Sequence, residues 1–237
     1  SRVEGARKSG RIASGCSAAT YRRLSTNILH YPGSPNVTAN VFVTDAMFLL
    51  RPSRNAPANY LGKEIKTGAD LVWWFVKDKI LIPAIEAGFT TVDAHFDAQS
   101  GLAKAGLEAW RSQMAGMDSV ADADLTIHRA EEVKTRDLKK IAMCRDVGRE
   151  SFFSVLADVM KDTAWVSSLE LPDDFEFIVR GASREVLGEA TCARTHRGVL
   201  TIVPLDPVWH EEADTSVVYA ALQHAAKPET VAVLMHT

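Results

Sequence analysis

Apolar residues fall in short separate runs whose period changes along the chain. Val41-Phe-Val-Thr44 is compact, apolar and β-branched, and it predicts a buried strand ending at Asp45. From Ala69 to Ala87 the positions Val72, Phe75, Val76 and Ile80 recur at helical spacing, so a helix is expected. Pro83 stands inside it, lacks a backbone N–H, and should kink or split it; Gly88 is placed to stop it. Thr90–Phe96 predicts a second strand with Asp97 at its carboxyl end. Leu102–Gln113 predicts a helix, and 119–165 predicts two or more, with Leu138, Ile141 and Met143 set among charges. Phe175–Val179 and Gly198–Val203 predict a third and a fourth strand, Ser216–Ala226 a helix, and Thr230–Met235 a last strand. Tyr31–Asn36 is a cluster of turn residues and Pro52–Pro57 a loop. Strands alternating with helices predict an α/β fold, a mostly parallel central sheet flanked by helices. Functional groups in such sheets gather at the carboxyl ends of the strands.

Composition narrows the class. The chain has 237 residues, 46% hydrophobic and 24% charged, which excludes collagen-like, disordered and disulfide-scaffold proteins. Leu71–Phe75, the longest apolar stretch, is broken by Lys77, Asp78 and Lys79, far short of the roughly 20 residues of a membrane helix. Cys16, Cys144 and Cys192 are widely spaced with no CxxC pair. Neither a disulfide framework nor a structural zinc site is expected, and a reducing, intracellular setting fits best. The first residues show no apolar secretory segment.

Charge is uneven. Residues 1–40 carry Arg2, Arg7, Lys8, Arg11, Arg22 and Arg23 against Glu4 alone, although the whole chain is net −3. Residues 1–38 are therefore read as a basic N-terminal extension and 39–237 as the folded domain. The extension has three readings: a nucleic-acid-binding arm using Arg7, Lys8, Arg11, Arg22 and Arg23, an organelle-targeting segment, or a solvated tail.

Acidic residues supply the candidate chemistry. Asp45 and Asp97 each end a predicted strand, and Glu211-Glu212-Ala213-Asp214 opens the helix after the fourth. Carboxylates gathered at one end of a sheet repel unless a cation sits among them, and hard oxygen ligands suit Mg²⁺ or Mn²⁺. Each acid also has a structural reading, as a helix-dipole partner or a turn residue.

The segment Phe96-Asp97 … Lys104 … Arg111 has a Lys seven residues after the Asp and an Arg seven further on. It resembles the FD-G-x-x-P-x-x-K-x-x-x-x-x-x-R segment of flap endonucleases and the similar segment of 5′→3′ exoribonucleases. Val43-Thr-Asp45-Ala-Met-Phe-Leu49 resembles their first-strand motif, and Glu212-Ala-Asp214 their Glu-Ala-Glu/Asp motif. Order and spacing agree over roughly residues 40–237, so the chain resembles the FEN/PIN-like nuclease superfamily.

The resemblance implies a parallel-sheet core and metal-dependent hydrolysis of phosphodiester bonds in single-stranded or flapped DNA or RNA. It implies Asp45, Asp97, Glu212 and Asp214 as Mg²⁺ or Mn²⁺ ligands. Lys104 and Arg111 would be catalytic, stabilising charge at the scissile phosphate. Residues 112–170 would occupy the place of a helical arch, though their mixed charges read equally well as a salt-bridged surface.

The pattern departs from the family at Ala98, where the family has Gly, and at Ser100 and Gly101, where its prolines are absent. The family continues past the last strand with Asp-x-Asp, supplying second-metal ligands, and this sequence reaches Thr237 one residue earlier. Two functions are therefore expected in competition: an active or split nuclease, and a degenerate nuclease-like domain serving as a structural or nucleic-acid-binding subunit of a larger assembly. His95, next to the proposed site, has two readings, an ordinary polar or core histidine and a contact to substrate. The other histidines show no ligand spacing, and the five tryptophans are read as core or interface.

Overall fold

The computed structural model describes residues 39–50, 55–96, 125–143, 145–181, 190–206 and 213–236. The basic residues of the N-terminal extension, Asp97, Lys104, Arg111 and Glu212 lie outside these residues. So do the side chain of Asp214, the expected turn at 31–36, the expected helix at 102–113, and the cysteines Cys16 and Cys144.

Six strands form one sheet in the order β7–β6–β5–β4–β1–β8. They are β1 (Val41–Asp45), β4 (Thr91–His95), β5 (Glu176–Arg180), β6 (Ala190–His196), β7 (Val199–Leu205) and β8 (Val233–His236). A separate two-stranded ribbon joins β2 (Asn59–Tyr60) to β3 (Lys63–Glu64). β1 pairs in parallel with β4 and β8, and β4 pairs in parallel with β5.

The expectation of a mostly parallel sheet holds: four strands run parallel, and the remaining edge is antiparallel. The run predicted at 198–203 is antiparallel, the second arm of a hairpin with β6, a strand absent from the sequence reading. The turn decides the direction. Arg197 and Gly198 both have positive φ, 51° and 74°, the backbone of a tight hairpin whose twist matches its strands.

The helices are α1 (Ala46–Leu50), α2 (Gly68–Trp74), α3 (Ile82–Glu86), α4 (Leu138–Met143), α5 (Glu150–Val159), α6 (Thr163–Ser167) and α7 (Ala213–Ala225). The helix expected over 69–87 is continuous but not uniform. A π-helical segment, Phe75–Leu81, joins α2 to α3, and Ile82 donates to the Lys77 carbonyl five residues back. Pro83 follows at once; the wider turn accommodates a residue that neither donates to the turn before it nor leaves room for a carbonyl there. A second π segment, Arg145–Arg149, precedes α5.

The N-terminus of α2 carries a capping box. The Thr67 side chain accepts from the Asp70 N–H, and the Asp70 carboxylate accepts from the Thr67 N–H at 2.9 Å.

Strand alternation divides the sheet into two unequal faces. One face carries Phe42, Val92, Ala94, Phe177 and Val179 into the main core, where they meet Leu71, Phe75 and Ile80, and Leu138, Phe152 and Leu156. The described part of 112–170 thus packs its apolar side into this core. Trp73, Trp74 and Trp165 are buried there, as expected of them. The opposite face is covered over β1 and its neighbours by α7, through a small apolar cluster of Val41, Val43, Val217 and Ala220. Among the described residues no helix is long and apolar enough to cross a membrane.

Candidate functional site

Among the four parallel strands, chain order reads third, second, first, fourth from β5 to β8. The winding reverses between β1 and β8, and the crevice beyond the carboxyl ends of strands at such a switch is where open α/β sheets take ligands.

Three side chains line this edge in one row. Asp45 stands opposite His95, and His95 opposite Arg180, in parallel register across β1, β4 and β5. Alternation puts all three on the face that α7 covers. Half-buried Asp45 uses Oδ1 to accept the Met47 N–H at 2.8 Å, which caps the start of α1. On the other face of the sheet His236, paired in register with Thr44, lies against the Phe48 ring with centroids 4.2 Å apart. Burial lowers its imidazole pKa, and its Nδ1 has no hydrogen-bond partner.

Behind the row lies a buried polar network. Asp93, mid-strand in β4 and fully buried, accepts from Arg180 Nε at 2.8 and 3.0 Å and from His224 Nε2 at 2.9 Å. His95 Nε2 lies 3.1 Å from Asp93 Oδ1 but off the line of a good hydrogen bond, so that contact is mainly electrostatic. Burial alone would push the Asp93 carboxyl up. The electrostatic contact with His95, the hydrogen bond from His224 and the Arg180 guanidinium outweigh it and hold the group well below the usual carboxylate range.

On its other side His95 meets α7. Its Nδ1 is 2.7 Å from Ser216 Oγ. A carboxylate can only accept, so Nε2 carries the proton facing Asp93. Nδ1 and the Ser216 hydroxyl share one hydrogen bond, whose direction follows from whether Nδ1 carries a proton.

These contacts fix the direction of α7. Ser216, in its first turn, meets the carboxyl end of β4. His224, near its last turn, lines a cleft with Asn40, Thr90 and Thr91 at the amino ends of β1 and β4. The helix runs antiparallel to the strands, so its start, with Asp214 as second residue, lies at the edge where Asp45 stands. Two acids 169 positions apart in sequence are thereby brought to one end of the sheet.

Ser216, His95 and Asp93 are the residue types of a nucleophilic triad, but the surroundings argue against that use. Ser216 is 9% exposed, His95 is fully buried, and the Asp93 carboxylate is shared among three partners. A substrate carbonyl has no way in. Of its two readings His95 takes that of a core residue: its ring is fully buried, enclosed between Asp93 and Ser216.

The sequence reading passed over Asp93, Arg180, Ser216 and His224 as functional candidates. One signal was present: Asp93 and His95 alternate with Val92, Ala94 and Phe96, so two ionisable residues share one face of a strand whose other face is wholly apolar.

Asp45 is the one expected metal ligand whose side chain is described, and its hard carboxylate oxygens suit Mg²⁺ or Mn²⁺. The imidazoles of His95 and His224 face Asp93 instead. Among the described residues no three His, Cys, Asp or Glu side chains converge as a metal cage. Comparison with protein-family models, with curated proteins and with solved structures finds no match to this chain.

Proposed function

We propose that the carboxyl edge of the sheet is the active edge of a metal-dependent nuclease acting on single-stranded or flapped nucleic acid. The observation that carries the reading is the Ser216–His95 contact. It sets the first turn of α7, and with it the Asp214 position, at the end of the sheet where Asp45 closes β1. The FEN/PIN-like resemblance of the sequence supplies the rest: Asp45, Asp97, Glu212 and Asp214 as ligands of Mg²⁺ or Mn²⁺, and Lys104 and Arg111 at the phosphate. A bound cation pair would supply the polarisation and the nucleophile that phosphodiester hydrolysis needs. The chain's own part is to hold carboxylates from separate elements at one edge and to present cations to the developing charge.

One observation favours the second reading, a nuclease-like domain kept as a binding or structural subunit. An Asp45 oxygen is already engaged in capping α1, which is reason enough for an aspartate at that position without catalysis.

The test is a nuclease assay with Mg²⁺ and Mn²⁺ on single-stranded and 5′-flap DNA and RNA. The wild type is expected to cut, and Asp45→Ala and Asp97→Ala each to lose at least about 100-fold in rate, as removal of a key electrostatic group does. A wild type that binds nucleic acid without cutting it under any of these conditions moves the protein to the second reading.

A further inference from the structure

The amino end of the sheet, opposite the edge where Asp45 stands, carries a cleft of about 660 Å³ beside the last turn of α7. Its floor is one cross-strand row: Val41, Thr91, Glu176 and Arg194 stand in register across β1, β4, β5 and β6. Its wall is the end of α7 and the chain just after it, with His224 and Lys227. Sites for small molecules have volumes of roughly 300–1,000 Å³.

Three polar groups of the cleft are open to a ligand. His224 is 3% exposed, and its Nε2 lies 2.9 Å from Asp93 Oδ2. The ionised Asp93 carboxylate only accepts, so Nε2 carries the proton. Nδ1 has no hydrogen-bond partner among the described residues and is not enclosed by protein, so it opens on the cleft. In the neutral ring it is an acceptor, aimed by a buried carboxylate behind it. The Thr91 hydroxyl, two residues before Asp93 on the same strand face, is likewise neither paired among the described residues nor enclosed. The third group is Lys227, which has no carboxylate within ion-pair reach among the described residues. Its charge is felt by the Cys192 thiol on β6, so the ammonium leans over the sheet. Two acids of the cleft are already engaged, Glu176 with Arg194 and Asp174 with His196, each at 2.6 Å.

We propose that this cleft binds a small carboxylate that carries a hydroxyl or amino group. The carboxylate meets Lys227, and the donor group meets His224 Nδ1 and the Thr91 hydroxyl. Exposed Glu229, which also lines the cleft, offers an amino group its counter-charge. The site is independent of the metal reading: it lies at the other end of the sheet and uses none of the expected metal ligands.

The test follows the NMR signals of the His224 imidazole nitrogens and of the amides around the cleft, in mildly alkaline buffer. The free protein is expected to carry the His224 proton on Nε2 and to leave Nδ1 bare. The probes are glycolate, with a hydroxyl beside its carboxylate, glycine, with an amino group there, and acetate, with neither. Glycolate or glycine is expected to shift the His224 and Thr91 signals and to bind about 10-fold more tightly than acetate, the effect of one hydrogen bond. The tighter of the two tells a hydroxy acid from an amino acid. Lys227→Met, which keeps the side-chain stem, is expected to weaken binding about 10-fold. His224→Gln, whose amide N–H can still reach Asp93, and Thr91→Val, of similar shape, should each reduce the preference over acetate in protein that circular dichroism shows to be folded. No shift with any probe overturns the site. Acetate binding as tightly as glycolate and glycine overturns the His224 and Thr91 contacts, and unchanged binding in Lys227→Met overturns the carboxylate contact. A His224 proton found on Nδ1 overturns the geometry itself.

Discussion

At the residue scale the described side chain most expensive to bury is that of Asp93, an acid with no exposure. A carboxylate with no exposure is tolerable only because Arg180, His95 and His224 surround it. Asp93→Asn leaves the Arg180 charge without its counter-ion and is expected to destabilise the fold by about 3–5 kcal/mol, read from urea midpoints at neutral pH. The pH dependence follows in sign. The folded-state pKa of Asp93 is depressed, so its stabilisation is fully present above the unfolded value of about 4 and is lost as pH falls through the folded value. Wild-type stability should drop on the acid side of pH 4, and Asp93→Asn should show a flatter profile there. An equal acid slope in both proteins would assign the acid transition to other groups. Cys192 is the opposite kind of buried group: an apolar setting pushes its thiol up to about 11, which marks a core residue rather than a nucleophile.

At the element scale the start of α2 shows how a neighbouring segment overrides local propensity. The N–H groups of Gly68 and Ala69 donate to the carbonyls of Glu131 and Arg129, so a length of chain near 128–133 closes over the helix start. A Cβ on Gly68 would stand 2.3 Å from the His128 carbonyl oxygen. Gly→Ala in a helix ordinarily gains up to about 1 kcal/mol. Here Gly68→Ala is expected to lose roughly 1–3 kcal/mol, since backbone rather than a flexible side chain must move. A stabilised variant in thermal denaturation would show that the 128–133 segment yields. The hairpin teaches the same lesson in a strand. Arg-Gly between two runs rich in Val, Thr, Ala and Ile is a readable turn signal, and reading it would have found β6 and the antiparallel pairing of β7.

At the scale of the whole molecule the sheet has a protected centre and open margins. β1 and β4 are flanked on both sides by strands and covered on both faces, whereas β7 ends the described sheet and turns Val199 and Val203 outward. Amides of β1 and β4 should exchange only with global unfolding, and those of β7 sooner through local opening. Equal protection across β7 and β4 in native-state hydrogen exchange would mean that another surface seals that margin. The same asymmetry shapes the candidate site. The main core covers the sheet from one side, and the thinner α7 layer brings polar contacts to Asp93 and His95 from the other.

The sequence by itself determined the parts whose signal is local. β1, β4, β5, β8, the long helix through Pro83 and α7 were legible because a strand or helix buried on one side repeats its apolar residues at period two or 3.6. Asp45 at a strand end and Asp214 at a helix start were legible for the same reason, as positions on elements. Only the tertiary structure decided which elements are neighbours. Periodicity carries no information on pairing direction, so the antiparallel edge was missed. Polarity along a strand does not tell a buried ion from an exposed one: Asp93 reads as an ordinary acid until Arg180, 87 residues away, and His224, 131 residues away, are brought to it. The placing of the α7 start at the carboxyl end of the sheet belongs to this second kind. It follows from contacts between residues far apart in sequence, Ser216 with His95 and His224 with Asp93.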